Sequence, residues 1–247
     1  MDEMIYIAMT GARQTEYAQA VNSNNLANVS TTGFRAEMHA FSSVPVDGPG
    51  VDSRVNAVVG TPGIDFTEGP VVNTGDELDI AVQGDGFIAV QAPDGSEAYT
   101  RAGNLDIDAT TGLLQTASGH LVIGNGGPVA LPPNAKVEIG SDGTISIIPE
   151  GQTPDTLSEI DRIKLVNPAH ADLERRADGL LAMRDGTAAV ADGNVTVQSG
   201  QLEQSNVNVA STLVNMIELA RQYEMQVNVI KTSEENADAA AQLMRLG

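Results

Sequence analysis

Three histidines, His39, His120 and His170, are the side chains of this 247-residue chain best placed to titrate or bind a metal near neutral pH. Their spacing supports neither use. None belongs to an HExxH-type pair or a comparable ligand set, and each reads as a surface or turn residue. There is no cysteine, so disulfides and thiolate metal sites are excluded. The run Asp106-Ile107-Asp108-Ala109-Thr110-Thr111-Gly112 opens like a calcium loop. An EF-hand beginning at Asp106 needs an oxygen ligand at its fifth position, glycine at its sixth and glutamate at its twelfth. Those positions hold Thr110, Thr111 and Ala117, so the run reads as a turn in which Asp and Thr bond their own backbone ahead of a glycine. Gly84-Asp85-Gly86 lacks the third glycine of a dinucleotide fingerprint and precedes a strand. There is no Walker loop and no Gly-x-Ser-x-Gly elbow. Carboxylates are so abundant that their pairing specifies nothing. These readings predict no enzymatic activity, no cofactor and no metal.

Composition narrows the partners. The chain has 33 acidic and 13 basic residues, a formal net charge of -20. Nucleic acid and anionic membrane surfaces both need a basic face, so neither is expected to bind. The chain is 41% hydrophobic but only 3% aromatic, with no Trp, four Phe and four Tyr. A core must therefore be built from Val, Ile, Leu and Ala. No run of about 18 apolar residues could span a bilayer. The opening Met1-Asp2-Glu3-Met4 is acidic and is not a Sec signal peptide, so the chain is expected to be cytosolic or exported by a route that leaves no cleaved signal.

With little catalytic chemistry to position, the elements themselves carry the signal. Val209, Leu213, Met216, Ala220, Tyr223, Val227, Ile230, Glu234, Ala237, Ala241 and Met244 follow one another at alternating spacings of four and three. A 3.5-residue repeat puts one seam along a helix, which needs another helix to cover it. Only Glu234 breaks the seam. A helix from Val209 to Leu246 would be roughly 57 Å long at ~1.5 Å per residue. Ser205-Asn206-Val207-Asn208 before it has the composition of an N-cap. A second helix is expected over residues 4–28, with Ile5, Ala8, Met9, Ala12, Tyr17, Ala20, Val21 and Leu26 on a broad face that Thr15, Gln19 and Asn22 weaken. It is shorter, so part of the C-terminal seam would stay uncovered in a monomer. Paired, the two helices must run antiparallel.

Between the helices the pattern changes. Residues 41–80 hold Pro45, Gly48, Pro49, Gly50, Gly60, Pro62, Gly63, Gly69, Pro70 and Gly75, a density of breakers that permits turns and short extended pieces. From 78 to 200, short alternating runs such as Leu78, Ile80 and Val82 are separated by turns at Asp94-Gly95, Thr111-Gly112, Ser118-Gly119, Asp142-Gly143, Asp178-Gly179, Asp185-Gly186 and Asp192-Gly193. Asp155 to Ile163 is ambiguous between turn and strand. The expected fold is α+β: long terminal helices forming a coiled coil around a central, mainly β domain. The expected divisions are 1–33 for the first helix and its loop, 34–77 for an extended arm, 78–200 for the β-domain and 201–247 for the C-terminal helix.

Four stretches resemble a known family, the flagellar basal-body rod and hook proteins. They are Asn24-Asn25-Leu26-Ala27-Asn28-Val29-Ser30-Thr31-Thr32-Gly33-Phe34-Arg35; Leu78-Asp79-Ile80-Ala81-Val82-Gln83-Gly84-Asp85-Gly86-Phe87; Tyr99-Thr100-Arg101-Ala102-Gly103-Asn104-Leu105 through Gly112 and Leu114; and Gly200-Gln201-Leu202-Glu203-Gln204-Ser205-Asn206-Val207 through Arg221, Tyr223 and Glu224. They occur in family order. Met1-Asp2 with Ile5-Tyr6 and Ala8-Met9, the length, and Val44-Pro45-Val46-Asp47-Gly48 favour a proximal rod protein; the distal rod protein is the nearest alternative.

The resemblance implies a structural subunit that assembles helically in the periplasmic rod through its terminal helices and carries torque. It also implies export unfolded through the flagellar type III apparatus, with itself and other rod proteins as partners. Leu26, Phe34, Leu213, Met216, Val227 and Ile230 are the expected assembly contacts, with packing inside the chain as the competing role of each. Two other readings remain at this point: a secreted β-domain binding module, weakened by the shortage of aromatic residues, and a hydrolase on a β-scaffold, which would need a perturbed acid pair in a pocket.

Overall fold

The structure is a computed structural model and describes residues 2–39, 41–45, 55–59, 63–132, 136–148 and 158–245. Several residues used above (Val46, Asp47, Gly48, Pro49, Gly50, Gly60, Pro62, Asp155 and Leu246) lie outside them. Two long helices, packed together, flank a mainly β region, as the sequence predicts. Helix α1 spans Asp2–Ala27 and helix α2 spans Val209–Arg245, 26 and 37 residues. The Asn208 side chain caps α2 by accepting from the Ser211 N–H at 3.1 Å, which satisfies one of the free donors of its first turn.

The contacts divide the chain into two compact units, Met1–Val29 with Ala36–Asp65 and Val207–Gly247, and Ser30–Arg35 with Phe66–Asn206. In the first, α1 packs on α2 and on the strand Val55–Val59, which forms a hairpin with Phe41–Pro45. A short pair, Glu37–Met38 with Gly63–Ile64, completes it.

The second unit is antiparallel throughout its described pairings. Phe87–Gln91 is its central strand, buried along four of five residues, and pairs with Glu97–Thr100, Leu121–Gly124 and Leu165–Val166. Lys136–Ile139, Thr144–Ile148 and Ser158–Arg162 form a separate three-stranded sheet, so the ambiguous stretch ends as a strand. The core is aliphatic, as the composition requires: Ile80, Ile88, Val90, Leu114, Val122 and Ile145 are fully buried. The unit closes end on end, since Ile80–Gln83 pairs with Thr196–Ser199 and Val71–Asn73 with Gln201–Glu203.

The turns use part of the chain's acidity. Asp94, Asp108, Asp142, Asp178, Asp185 and Asp192 each accept the backbone N–H two residues on, closing Asx turns. These bonds hold the Asp108 and Asp185 carboxyls below the usual carboxylate range. At Asp94 and Asp142 the hydroxyls of Ser96 and Thr144 contribute most to the same depression. The stretch that opens like a calcium loop is one of these turns: Asp108 accepts from the Thr110 N–H and the Thr111 hydroxyl, each at 2.8 Å.

Candidate assembly helices and their buried anchor

The α1–α2 interface mixes small and polar residues with apolar ones such as Val21 and Leu219. On α1 the buried positions include Thr15, Ala18, Asn22 and Asn25, spaced three, four and three. Of the expected apolar face, Val21 is buried and Ile5, Ala8, Ala12, Tyr17 and Leu26 are half-buried, while Met9 and Ala20 are exposed. The residues that weaken the apolar pattern, Thr15 and Asn22, are interface residues. Asn22 Nδ2 donates to the Thr212 carbonyl at 2.8 Å. Gln226 Nε2 donates to the Thr15 hydroxyl at 3.2 Å. Gly11 leaves room for that amide, since a Cβ there would sit 3.0 Å from Gln226 Nε2. These pairs descend α2 as they climb α1, so the helices are antiparallel.

On α2 the buried stripe is offset from the seam read in the sequence. Thr212, Leu219 and Ser233 are buried, and Met216, Ala220, Gln226, Val227, Ile230, Ala237 and Ala240 are half-buried. This stripe and the predicted seam share Met216, Ala220, Val227, Ile230 and Ala237. Its most buried positions, Thr212, Leu219 and Ser233, each lie one residue before Leu213, Ala220 and Glu234 of the seam. Successive residues are about 100° apart on a helix, so α2 carries two flanks on one shared line. α1 meets the more polar flank through the Asn22–Thr212 and Thr15–Gln226 pairs. The other flank keeps Leu213 45% exposed and Tyr223 41% exposed. Glu234 interrupts the apolar seam without entering the stripe that α1 covers.

The expected assembly residues are therefore spread over different environments. Met216, Val227 and Ile230 are half-buried on α2, Leu213 is exposed, and Leu26 is half-buried near the end of α1. Phe34 lies in the second unit, where the Arg175 guanidinium stands 4.7 Å from its ring centroid. The structure brings Met216, Val227 and Ile230 onto one side of α2 and does not gather all six. Of the histidines, His170 stacks on Phe66 at 4.1 Å.

A second centre was not foreseen from the residue pattern. Glu203 is 1% exposed and binds two buried guanidinium groups. Its Oε1 accepts from Arg35 Nη1 at 2.5 Å and from the Gly69 N–H at 2.8 Å. Its Oε2 accepts from Arg101 Nε at 2.7 Å. Its carbonyl accepts from the Gly33 N–H at 2.8 Å. Arg101 then donates to the carbonyls of Val82, Gly84 and Gly86 at 2.9, 2.8 and 3.2 Å. One carboxylate thus joins all four sequence stretches named above. Gly33 has φ +66°, and a Cβ there would lie 2.2 Å from the Arg101 carbonyl carbon, so the loop closes on Arg101 only with glycine at this position.

The cluster sets two buried guanidinium groups against one buried carboxylate, with a smaller favourable contribution from Glu68 at Arg35. Burial pulls the Arg35 guanidinium below its ordinary range; Glu203 opposes this and Arg101 adds to it. Arg35 Nε and Nη2 are buried without a hydrogen-bond partner among the described residues. Alternation along Gln201-Leu202-Glu203 would turn Leu202 inward, yet Leu202 is half-buried and Glu203 is fully buried. The available signal was indirect: two of only 13 basic residues, Arg35 and Arg101, lie two residues from a glycine within the matched stretches.

Comparison with known proteins covers both regions. Residues 5–35 match the family described as flagella basal body rod protein. Residues 81–147 match the flagellar hook protein FlgE/F/G D1 domain, and residues 198–243 match the flagellar basal body rod FlgEFG protein C-terminal family. The chain is 43% identical to the flagellar basal-body rod protein FlgF of Escherichia coli K12 and 42% identical to that of Salmonella typhimurium LT2, over the full length of each. It is 33% identical to the rod protein FlgG of Buchnera aphidicola from Schizaphis graminum, over 97% of this chain and 98% of that one.

Proposed function

This chain belongs to the flagellar basal-body rod protein FlgF family and is a structural, non-enzymatic rod subunit, and from that premise we propose that it assembles helically in the proximal rod through its terminal helices and carries torque. The observation that supports this mode is the apolar surface that α2 leaves uncovered. Leu213, Val214, Ile217, Tyr223, Met225 and Val229 are all more than two-fifths exposed on a helix already paired with α1. Burying such a face yields about 25 cal/mol per Å² of apolar area, and many shared contacts are needed because a single surface pair is worth about 1 kcal/mol or less. The helix lengths differ by eleven residues, 26 against 37. That excess is roughly 16 Å of α2 at ~1.5 Å per residue, beyond what a helix of α1's length can cover.

On this reading the partners are other copies and other rod proteins, and the chain reaches the periplasm through the flagellar type III apparatus. Leu26, Phe34, Leu213, Met216, Val227 and Ile230 are its assembly contacts. The test is photo-crosslinking from Val227 in cells, followed by isolation of basal bodies. Crosslinks to itself and to other rod proteins are expected, and their identity separates a proximal from a distal place. Val227→Asp is expected to abolish motility while the second unit stays folded. A motile Val227→Asp strain would sink the assembly mode.

A further inference from the structure

We propose that the Arg35–Glu203–Arg101 cluster is a completion latch, which withholds stable folding of the second unit until the segment ending at Glu203 is present. The proposal rests on the reading that the chain is exported unfolded. Arg35 and Arg101 enter the unit early in the chain, and the carboxylate that neutralises them lies 168 and 102 residues later. Both guanidinium groups are at least 96% buried in the finished unit. A chain lacking Glu203 must bury both cations without the carboxylate they bond or keep the surrounding backbone open. Breaking a buried ion pair by removing one partner is strongly unfavourable.

The strand order enforces the same dependence. Ile80–Gln83 and Val71–Asn73 pair with Thr196–Ser199 and Gln201–Glu203, and these last two strands arrive together with Glu203. Val195 and Val197 of the core arrive with them. Arg101 holds the carbonyls of Val82, Gly84 and Gly86 at the end of the early strand. The ionic term therefore penalises folding at the place where the incomplete unit also lacks its closing strands. An apolar cluster of similar volume would remove the ionic penalty and leave only the missing strands. It would raise the folded-to-unfolded ratio of an incomplete chain by about a hundredfold or more.

The test uses the full chain with Arg35→Met, Arg101→Met and Glu203→Met together, in flagellated cells lacking the native copy. The purified variant is expected to match the unsubstituted chain in its urea midpoint, and in cells most of its export is expected to be lost. Equal stability with equal export overturns the latch. Export of the unsubstituted chain in cells without a flagellar export apparatus would instead overturn the export reading, so the two failures are distinguishable. A second arm does not depend on the triple substitution folding. In full-length Glu203→Ala, hydrogen exchange is expected to show lost protection in Leu121–Gly124 and Leu114–Thr116, remote in sequence from the cluster residues. Loss confined to Gly33 and Gly69 overturns the proposal.

Discussion

Asn25 holds Glu37 by both of its backbone groups: Nδ2 donates to the Glu37 carbonyl and Oδ1 accepts from the Glu37 N–H, each at 2.8 Å. A helix side chain thus makes the paired bonds that a neighbouring strand would make. The carboxamide is suited to this because it presents one donor and one acceptor side by side. Asn25 is 9% exposed, so water replaces these bonds poorly. Asn25→Asp keeps the shape and loses the donor, setting a carboxylate against a carbonyl. The expected cost is about 1–3 kcal/mol. Faster hydrogen exchange at Glu37, with helix content retained, would register it.

Gly103 and Gly119 are constrained for different reasons, and alanine separates them. A Cβ on Gly103 would lie 1.7 Å from the Ile80 carbonyl oxygen, and Ile80 N–H donates to the Gly103 carbonyl at 2.9 Å. The obstacle is backbone, so two paired segments must part. Gly103→Ala is expected to cost at least about 3 kcal/mol, the upper end for overpacking. Gly119 has φ +83°, and a Cβ there would meet nothing within 4 Å. Its substitution costs only the left-handed backbone, about 1–2 kcal/mol. Urea midpoints of the two variants should rank in that order.

Tyr99 predicts the alkaline limit of the second unit. It is fully buried, donates to Glu97 Oε1 at 3.1 Å and accepts from the Ala189 N–H at 2.7 Å. Burial, with smaller contributions from Glu97, raises the phenol to about 12 from an ordinary 10.0. The unfolded chain therefore loses this proton first as pH rises. Between about 10 and 12 the unfolded state binds fewer protons than the folded one, so stability falls with rising pH across that window and levels above it. Tyr99→Phe is expected to cost about 1 kcal/mol at neutral pH through the lost hydrogen bonds, and to flatten the decline above pH 10. Unfolding titrations of both proteins from pH 8 to 12 would show it.

The long-range architecture was legible because it is written in periodicity. A heptad repeat over 36 residues and glycine turns between alternating strands leave few alternatives to terminal helices around a β region. The face of α2 was harder to read. Hydropathy selects the apolar seam through Leu213, Ala220 and Val227, while the most buried residues are Thr212, Leu219 and Ser233 and the seam residues Ala220 and Val227 are only half-buried. The choice was made by α1, whose Gly11, Thr15, Ala18 and Asn22 match a polar flank, and pairing of two stripes is not a property of either alone. The Glu203 cluster escaped for a related reason. Its members are separated by up to 168 residues, and a buried carboxylate is recognisable only when its cations are known. The same four stretches carried the family resemblance, so that resemblance marked the right residues without revealing that they meet.

The two flanks of α2 give the last prediction, a pair of substitutions one helical side apart. Leu219 is 8% exposed and Leu213 is 45% exposed. Leu219→Asp places a charge in the α1–α2 interface, where no cation is bonded among the described contacts. It is expected to separate the helices at a cost of about 3 kcal/mol or more. Leu213→Asp places the same charge on the uncovered flank and is expected to change stability by no more than about 0.5 kcal/mol. If the uncovered flank meets other subunits, Leu213→Asp should still abolish incorporation into rods, because each copy would present a charge to an apolar neighbour. Circular dichroism of the isolated proteins and recovery of each variant in purified basal bodies decide this. Incorporation of Leu213→Asp at the unsubstituted level would show that Leu213 is not an assembly contact.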